Sequence, residues 1–324
     1  MEKVLITGGA GFIGSNLTKR LLKEKNIQVT GIDNMSYGEK RNVEDIQNEN
    51  YRFIQGDITN PFATASEKYD VIVHLASQKI PRYTNAYRTL EENSLMLKNL
   101  VNKCLQDDSK LVFASTSDVY GKNPNVPFSE ESDLVLGPTT VKRWAYALSK
   151  MYGEHYLIAN KEEHGLKFSI TRFFGSYGQG QNLTWWGGPQ SVFIEKALKN
   201  EVIEIHGTGL QTRTFTYIKD TVEGLTHLVL NERSTNEIYN IAGNPNEEIT
   251  IIDLANLIWK LVNGPESTPK LKLISYATFG KYEDVMRRVP NISKLKDHFN
   301  FEPQHPLEQG LTETIAWQRK ILGL

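Results

Sequence analysis

Two residues that could exchange a proton with a substrate, Tyr146 and Lys150, lie four positions apart in the segment YALSK. The surrounding sequence YALSKMYGEHYLIANKEE has the pattern of a helix, so both side chains project from one helical face. A lysine ammonium beside a phenol favours the phenolate and lowers its pKa from about 10. The phenolate is then a general base that takes the proton of a substrate hydroxyl while hydride leaves the same carbon. On its own, this spacing also occurs on ordinary exposed helices.

A second group of polar side chains follows the apolar run KLVFA, in the stretch FASTSDVYG of residues 113–121. Turn residues often end strands, and Thr116, Ser117 and Asp118 are open to that simple interpretation. In open α/β sheets, however, ligands bind at the carboxyl ends of the strands. Beside Tyr146 and Lys150, these three residues are therefore candidate catalytic groups.

A glycine loop, TGGAGFIG at residues 7–14, joins the first predicted strand to the first predicted helix. Gly8, Gly11 and Gly14 permit a tight turn, a close approach of backbone to a pyrophosphate and close packing of helix on strand. The start of the helix offers free N–H groups and a positive dipole end to phosphates. A glycine loop alone is a weak signal, but its place between strand and helix predicts a dinucleotide site.

The second predicted strand ends in Asp33, nineteen residues after Gly14. A carboxylate there accepts both hydrogen bonds of an unmodified ribose and repels a 2′-phosphate, so we predict NAD, not NADP, as the cofactor. If Asp33 only capped the turn DNMSYG, its pairing with the glycine loop would be unexplained. Asp57, after the third strand, is either an adenine contact or a turn residue. The predicted cofactor contacts are Gly8, Gly11, Phe12, Ile13, Gly14, Asp33, Asp57, Ile58, Leu75, Ala76, Tyr146 and Lys150.

Short continuous apolar runs alternate with amphipathic stretches in the first half of the chain. The runs are KVLITG, VTGID, YRFIQGD, YDVIVHLAS, KLVFAST and FSITRFF. This alternation predicts an α/β fold with a Rossmann doubly wound parallel sheet covered on both faces. After about residue 175 the regular alternation of strands and helices ends, although the strand IYNIAG could return to the main sheet. We predict an NAD-binding domain of residues 1–175 plus about 215–245, and a smaller, interleaved α/β substrate domain of about 176–214 plus 246–324.

The composition points away from several classes of function. A net charge of −1 over 324 residues indicates no surface for nucleic acid or anionic membrane. No stretch approaches the roughly 18 apolar residues of a membrane span. The single cysteine, Cys104, lies in an apolar helical pattern; we predict a buried thiol, a reducing compartment and a cytoplasmic location. No Cys/His cluster has metal-ligand spacing, so no metal is predicted.

Over essentially its whole length the chain resembles the extended short-chain dehydrogenase/reductases that modify nucleotide sugars. TGGAGFIG, VIVHLAS, STSDVYG, YALSK, GLQTRTFTYIKD and IYNIAG stand in the order of that family. The resemblance implies that NAD oxidises a UDP-linked sugar at C4 to a 4-keto intermediate, after which the hydride is usually returned. By position, Thr116 resembles the residue that hydrogen-bonds the O4 region. Tyr146 resembles the base, and Lys150 resembles its partner, which also binds the nicotinamide ribose.

The residues around Asp118 indicate the branch of this family. A Thr-Ser-acid arrangement is similar to GDP-mannose dehydratases and UDP-glucuronate decarboxylases, whereas simple 4-epimerases need no acid. LGPTTVKRWAYALSK and YEDVMRRVPNIS favour decarboxylases of the aminoarabinose and apiose/xylose types. In these an arginine that resembles Arg288 assists decarboxylation, and a guanidinium suits a carboxylate. We therefore favour decarboxylation or dehydration over plain 4-epimerisation of a UDP-sugar. A non-catalytic NAD-binding sensor is disfavoured because Tyr146 and Lys150 are both present.

Three features depart from the decarboxylase pattern. Asp118 stands where those enzymes usually have Glu and is one methylene shorter. Gly175, in RFFG, stands where the family usually has Asn. The insert NLTWWGGPQ has no counterpart, and its Trp185 and Trp186 are equally consistent with a sugar or base site and with packing at a domain or dimer interface.

The remaining predictions concern substrate contacts and assembly. Arg213 in QTRTF resembles the arginine that binds the nucleotide diphosphate, and His74 is better explained by packing than by a cofactor contact. By resemblance, the helices near residues 90–106 and 145–162 form a homodimer interface. The predicted substrate contacts are Thr116, Arg143, Gly175, Gln190, Arg213 and Arg288.

Overall fold

The computed structural model describes residues 1–64, 67–79 and 85–324. Its centre is a seven-stranded sheet in the order β11-β6-β5-β4-β1-β2-β3. Every neighbouring pair in this sheet is parallel. The strands are β1 (Glu2–Thr7), β2 (Ile27–Asp33), β3 (Tyr51–Gln55), β4 (Val71–His74), β5 (Lys110–Thr116), β6 (Lys167–Phe173) and β11 (Glu237–Ile241).

Eight α-helices accompany these strands in the described part of the chain. They are α1 (Phe12–Leu21), α2 (Ala86–Asp107), α3 (Trp144–His164), α4 (Pro189–Leu198), α5 (Ile218–Leu230), α6 (Ile251–Asn263), α7 (Ser293–Phe299) and α8 (Leu307–Leu322). Helix α1 packs against α5, and α2 packs against α3. None of the helices described combines the length and apolarity needed to cross a membrane.

Both faces of the sheet are buried because successive side chains of a strand point to opposite faces. In β1, Val4 and Ile6 lie in a core shared with α1 and α5 residues such as Leu17 and Leu225. Leu5 lies in the opposite core with Leu100 of α2. This accounts for the continuous apolar runs in the sequence and confirms the predicted doubly wound parallel fold.

The second half of the chain adds three two-stranded ribbons. They pair β7 (Ser176–Tyr177) with β10 (Thr216–Tyr217), β9 (Thr212–Arg213) with β12 (Ile249–Thr250), and β8 (Ile203–His206) with β13 (Leu271–Ile274). Strand β11 lies beside β6 in the main sheet, with Ile238 opposite Ile170. The chain therefore leaves the main sheet after β6 and returns to it. The division into two domains stays a prediction.

Candidate active site

The glycine loop after β1 has no room for side chains at three of its positions; at Gly9, a Cβ would lie 2.8 Å from the Cα of Gly31. A Cβ on Gly14 would lie 2.2 Å from the carbonyl oxygen of Gly8. Gly8 has a φ of +72°, and a Cβ there would lie 2.9 Å from the backbone nitrogen of Ala76. Helix α1 starts directly afterwards, at Phe12. The start of the helix lines the cavity described below, and its binding of a phosphate stays a prediction.

Asp33 ends β2 beside this loop. Its Oδ2 accepts a hydrogen bond of 3.1 Å from the Ala10 amide, and its Oδ1 accepts one of 2.8 Å from the Met35 amide. Burial raises the pKa of Asp33, and the amides that donate to it oppose that shift. Asp57 accepts from the amide and hydroxyl of Thr59 and so closes a turn, as one of its two interpretations requires. It also lines the cavity described next, as the other requires.

A cavity of about 460 Å³ runs along the carboxyl ends of the central strands. All twelve predicted cofactor contacts line it, as do Thr116, Ser117 and Asp118. The crowded glycine loop, the buried carboxylate of Asp33 and the volume of the cavity fit a dinucleotide. Their individual roles in binding stay predictions.

Tyr146 and Lys150 share one face of α3; Lys150 is buried, and Tyr146 is half-buried. The Lys150 ammonium lies 5.9 Å from the centre of the Tyr146 ring and 4.8 Å from that of Phe113. Burial lowers the pKa of Lys150 to about 7, against the opposing carboxylate of Glu154. Its charge is therefore partly lost near neutral pH.

The pKa of Tyr146 moves opposite to the direction expected from the sequence. Burial raises it, and the negative charge of Asp118 adds to the rise, while hydrogen bonds with Ser77 and Thr116 oppose it. Lys150 does not reverse the shift because its ammonium is distant from the ring and itself desolvated. The phenol is therefore neutral near pH 7, and a positive charge close to it would favour loss of its proton.

The polar residues at the end of β5 form a capped turn and also line the first cavity. The hydroxyl of Thr116 accepts a 3.2 Å hydrogen bond from the Asp118 amide and caps the short helical turn Ser117–Tyr120. The simple turn interpretation is thus correct for its backbone. The same cap orients Asp118 toward the second half of the chain.

A buried ion pair beneath this strand end was not predicted from the sequence. Glu154, one turn after Lys150, accepts 2.5 Å and 2.6 Å hydrogen bonds from Ser115 and Arg172. It therefore ties α3 to β5 and β6 under the Tyr-Lys pair. The i+4 spacing from Lys150 was the available signal, but it did not reveal Arg172, which is 18 residues away in sequence.

Three arginines and two aspartates form a charged cluster beside Tyr146. Oδ1 of Asp118 lies 2.6 Å from Nη2 of Arg288 and 3.2 Å from Nη2 of Arg143. Oδ1 of Asp284 lies 3.1 Å from Arg143 and 2.9 Å from Arg213. The structure thus brings together the three predicted arginines, and it adds Asp284, which lies in YEDVMRRVPNIS but pairs with Arg213 from a distant part of the sequence.

The pKa values of the cluster follow from burial and charge. Burial would raise the pKa of Asp118, but Arg288 and Arg143 outweigh it and lower the pKa to about 2. The pKa of Asp284 is likewise lowered by Arg213 and Arg143 against its burial. Burial and the nearby Arg288 lower the pKa of Arg213 to about 10. Both carboxylates are therefore charged at neutral pH.

This cluster lines a second cavity of about 340 Å³ that adjoins the first. Residues that line both cavities mark where they meet. These are Asp118, Tyr146, Gly175, Trp185, Gly188, Pro189, Phe215 and Arg288. A group bound at this junction would touch the predicted base and the predicted arginine at once.

The two remaining predicted substrate contacts also line the first cavity. Gly175 has a φ of +45°, and a Cβ there would lie 2.9 Å from Cδ1 of Phe215. The Phe215 ring therefore occupies space that a larger residue at position 175 would need. Gln190 is buried, and its Nε2 has no hydrogen-bond partner among the described residues.

The two tryptophans of the insert have different environments. The Trp185 ring stacks on His206 at 4.6 Å between ring centres and lines both cavities. The Trp186 ring lies 3.9 Å from that of Tyr37, across the first cavity. Both are therefore cavity residues, and each also packs against another part of the chain.

Two other residues singled out from the sequence are packing residues. His74 is buried, its Nδ1 lies 2.9 Å from the hydroxyl of Thr7, and it lines neither cavity. Burial, with the nearby Lys150, lowers the pKa of His74 to about 3. Cys104 is buried as predicted, and burial raises the pKa of its thiol to about 12.

The fold and site belong to a defined class. The chain is a member of the NAD dependent epimerase/dehydratase family, whose model matches residues 4–242. The predictions of the family, of an enzyme and of NAD as its cofactor are confirmed.

Individual relatives are similar to this chain over nearly its whole length. The chain is 34% identical over 324 residues to a UDP-N-acetyl-alpha-D-glucosaminuronate decarboxylase of Bacillus cytotoxicus, covering 99% of this chain and 98% of that protein. It is 36% identical to UDP-glucuronic acid decarboxylase 1 of Xenopus tropicalis, covering 99% and 73%. Among solved structures, UDP-glucuronic acid 4-epimerase from Bacillus cereus, in complex with UDP-glucuronic acid and NAD, superposes with a TM-score of 0.87 at 25% identity, covering 98% and 99%.

Proposed function

We propose that the chain is a decarboxylase of a UDP-linked hexuronate, acting through C4 oxidation to a 4-keto intermediate. The observation that carries the proposal is the ion pair of Asp118 and Arg288 beside Tyr146, where the two cavities meet. This ion pair holds the largely buried guanidinium of Arg288 in a fixed orientation next to the predicted base. A guanidinium binds a carboxylate through two parallel hydrogen bonds.

The charge of the cluster supports an acidic sugar nucleotide as substrate. Three guanidinium groups face two carboxylates around the second cavity, which leaves one net positive charge. A diphosphate and a sugar carboxylate together carry more negative charge than a neutral sugar nucleotide does. Arg213 is proposed to bind the diphosphate and Arg288 the C6 carboxylate, with Arg143 joining the two aspartates between them.

The residues at the junction account for the proton transfer at O4 and for the charges at O4 and at the carboxylate. NAD, when bound, supplies the acceptor for the C4 hydride and a positive charge that favours the phenolate. Tyr146 takes the O4 proton, and Thr116 orients that hydroxyl. The resulting β-keto acid loses its C5–C6 bond, and the electron pair moves onto O4, where the Tyr146 hydroxyl stabilises it. Arg288 holds the carboxylate until CO2 leaves, and C5 then takes a proton from water.

The relatives support this choice of reaction. The two protein relatives named above are decarboxylases of UDP-linked uronates, and each aligns with at least 99% of this chain. A second candidate is 4-epimerisation of a UDP-sugar, favoured by the likeness to UDP-glucuronic acid 4-epimerase. It is also favoured by the two ion pairs of Asp118, because a carboxylate held by two arginines is a poor proton donor.

Adjacent arginines offer a matched test. Arg288 is 13% exposed and paired with Asp118, whereas Arg287 is 57% exposed and paired with Glu248. We expect Arg288→Met to lower the rate of CO2 release about 10- to 100-fold, as loss of a charged hydrogen bond does. Arg287→Met should stay within about 2-fold, since exposed ion pairs contribute little. Equal effects of the two substitutions would refute the role of Arg288.

Assembly, domains and location are further parts of the proposal. Leu95 of α2, with Leu148, Tyr152 and Ile158 of α3, places exposed apolar side chains on two helices that pack together. We propose that a second copy of the chain covers this surface in a homodimer.

The domain division predicted from the sequence is proposed unchanged. The free, buried thiol of Cys104 is compatible with the proposed cytoplasmic location.

A further inference from the structure

Residues 179–188, between β7 and α4, form a strap that is fastened to the nucleotide-binding half of the chain. The amide of Asn16 donates to the carbonyl of residue 179 at 3.0 Å, and that of Asn42 donates to the carbonyl of residue 180 at 3.1 Å. Farther along, Lys79 donates to the carbonyl of Trp186 at 2.9 Å. The Trp186 and Tyr37 rings are in contact, with 3.9 Å between their centres and an angle of 31° between their planes.

The positions of these anchors show what the strap crosses. Tyr37 follows β2 and Lys79 follows β4, and in the sheet these strands flank β1 on its two sides. The glycine loop follows β1, so Trp186 is joined to both sides of that loop. Tyr37, Lys79 and Trp186 all line the first cavity together with the glycine loop.

We infer that Trp186, held by Tyr37 and Lys79, keeps the dinucleotide in the protein between turnovers. The strap spans the cavity from the β2 side to the β4 side, so a dinucleotide beneath it leaves only after the ring contact and the lysine hydrogen bond have opened. These three residues position the cofactor and take no part in the chemistry.

Whether the cofactor stays bound decides whether the overall reaction consumes NAD. This consequence rests on the proposed function. If the reduced cofactor left before hydride return, each turnover would consume one NAD and release a 4-keto sugar. If it stays, the hydride returns to C4, Tyr146 returns its proton to O4, and the cofactor ends oxidised. The product is then a 4-hydroxy sugar that has lost only CO2, and no external oxidant is consumed.

The direct test measures cofactor release without substrate. The protein is loaded with isotopically labelled NAD, freed of excess and chased with unlabelled NAD. We expect Trp186→Ala to release the label roughly 10-fold faster than the unaltered protein, since an aromatic contact and its buried area are lost. Tyr37→Ala, which alters a residue 41% exposed, should have the same effect. Phe62→Ala, at a ring 81% exposed and outside the cavity lining, is the matched control and should not change the rate.

The outcomes separate this inference from the proposed reaction. The retention role would be overturned if Trp186→Ala and Tyr37→Ala released the label no faster than Phe62→Ala does. This comparison requires proteins with unchanged melting temperatures. This readout holds whether or not a decarboxylase activity exists. In a second step, substrate is added and the protein is filtered off. No reduced cofactor should appear in the filtrate of the unaltered protein, and one equivalent per turnover there would overturn the redox-neutral reaction.

Discussion

Asp118 and Arg288, 170 residues apart in sequence, meet with 2.6 Å between Oδ1 and Nη2 at the point where the two cavities join. Asp118, although one methylene shorter than the usual glutamate, therefore reaches Arg288, the arginine that the family resemblance associates with decarboxylation. Because the same oxygen also accepts from Arg143, Asp118 is saturated with positive charge. We interpret it as the residue that holds Arg288, with no role as a proton donor.

The first prediction follows from that pairing. Asp118→Asn removes the charge that orients Arg288, so the rate of CO2 release should fall about 10- to 100-fold, the usual cost of one charged hydrogen bond. Oxidation at C4 should persist, because Tyr146 and Lys150 are unaltered. A single turnover followed by reduced-nicotinamide absorbance, alongside trapped CO2, separates the two steps. Glu248→Gln, in the neighbouring exposed pair with Arg287, is the control. Loss of oxidation and CO2 release to the same extent would contradict the assignment.

The second prediction concerns the base. Tyr146→Phe removes the hydroxyl that takes the O4 proton, so no reduced nicotinamide should form after addition of UDP-glucuronate or its 2-acetamido counterpart. NAD binding should remain, because the ring of the residue is retained. Absorbance measures the first quantity and calorimetric titration of NAD the second. A variant that turns over at the unaltered rate would show that another group is the base.

The third prediction is a pH dependence of stability caused by His74. Its pKa is about 3 in the folded protein and near 6.5 in an unfolded chain. Between these values only the unfolded state binds the proton, so acidification from about pH 6.5 favours unfolding by up to about 1.4 kcal/mol per unit. His74→Gln should flatten the slope of unfolding free energy against pH in urea titrations. His164→Gln, at an exposed helix end, is the control, and equal slopes for both variants and the unaltered protein would contradict the account.

The fourth prediction addresses Gly175. An alanine there meets Phe215 at 2.9 Å and adopts a left-handed φ of +45°. Gly165 has a similar φ of +73° but nothing within 4 Å of its Cβ position. Gly175→Ala should therefore lower the free energy of unfolding by about 1–3 kcal/mol more than Gly165→Ala does, the usual cost of overpacking. Urea unfolding measures both, and equal costs would mean that Phe215 moves away freely.

The fifth prediction tests the proposed dimer. Leu148, on α3, is 47% exposed, and Val202, before β8, is 45% exposed. Leu148→Glu should shift the mass measured by light scattering from two chains to one, because a charge is buried at the interface. Val202→Glu carries the same charge on another surface and should leave the mass unchanged. A monomeric unaltered protein would refute the dimer.

Local patterns in the sequence predicted the elements well and their ends less well. The glycine loop, the acid after β2 and the Tyr-Lys spacing each depend on neighbours within one turn or loop. Helix α1 begins at Phe12, directly after its N-cap residue Gly11. The segment TRTFTYIKD forms two two-residue strands that pair with different partners and then starts α5.

The charged cluster could be predicted only in part. The family resemblance indicated Arg143, Arg213 and Arg288 separately, but the pairing of the first two with Asp284 depends on the fold, which brings them together from distant segments. The raised pKa of Tyr146 was likewise hidden, since it depends on burial and on Asp118. Spacing along one helix shows which groups are neighbours, whereas desolvation depends on the whole fold.

The central claim is that the site removes CO2 from a UDP-linked hexuronate without net consumption of NAD. The most direct measurement is the mass of the product formed from UDP-glucuronate and from UDP-N-acetylglucosaminuronate by the NAD-loaded protein. We predict that at least one of them yields a product lighter by one CO2, with no accumulation of reduced cofactor. A product of unchanged mass with an altered NMR spectrum would establish 4-epimerisation instead and contradict the account.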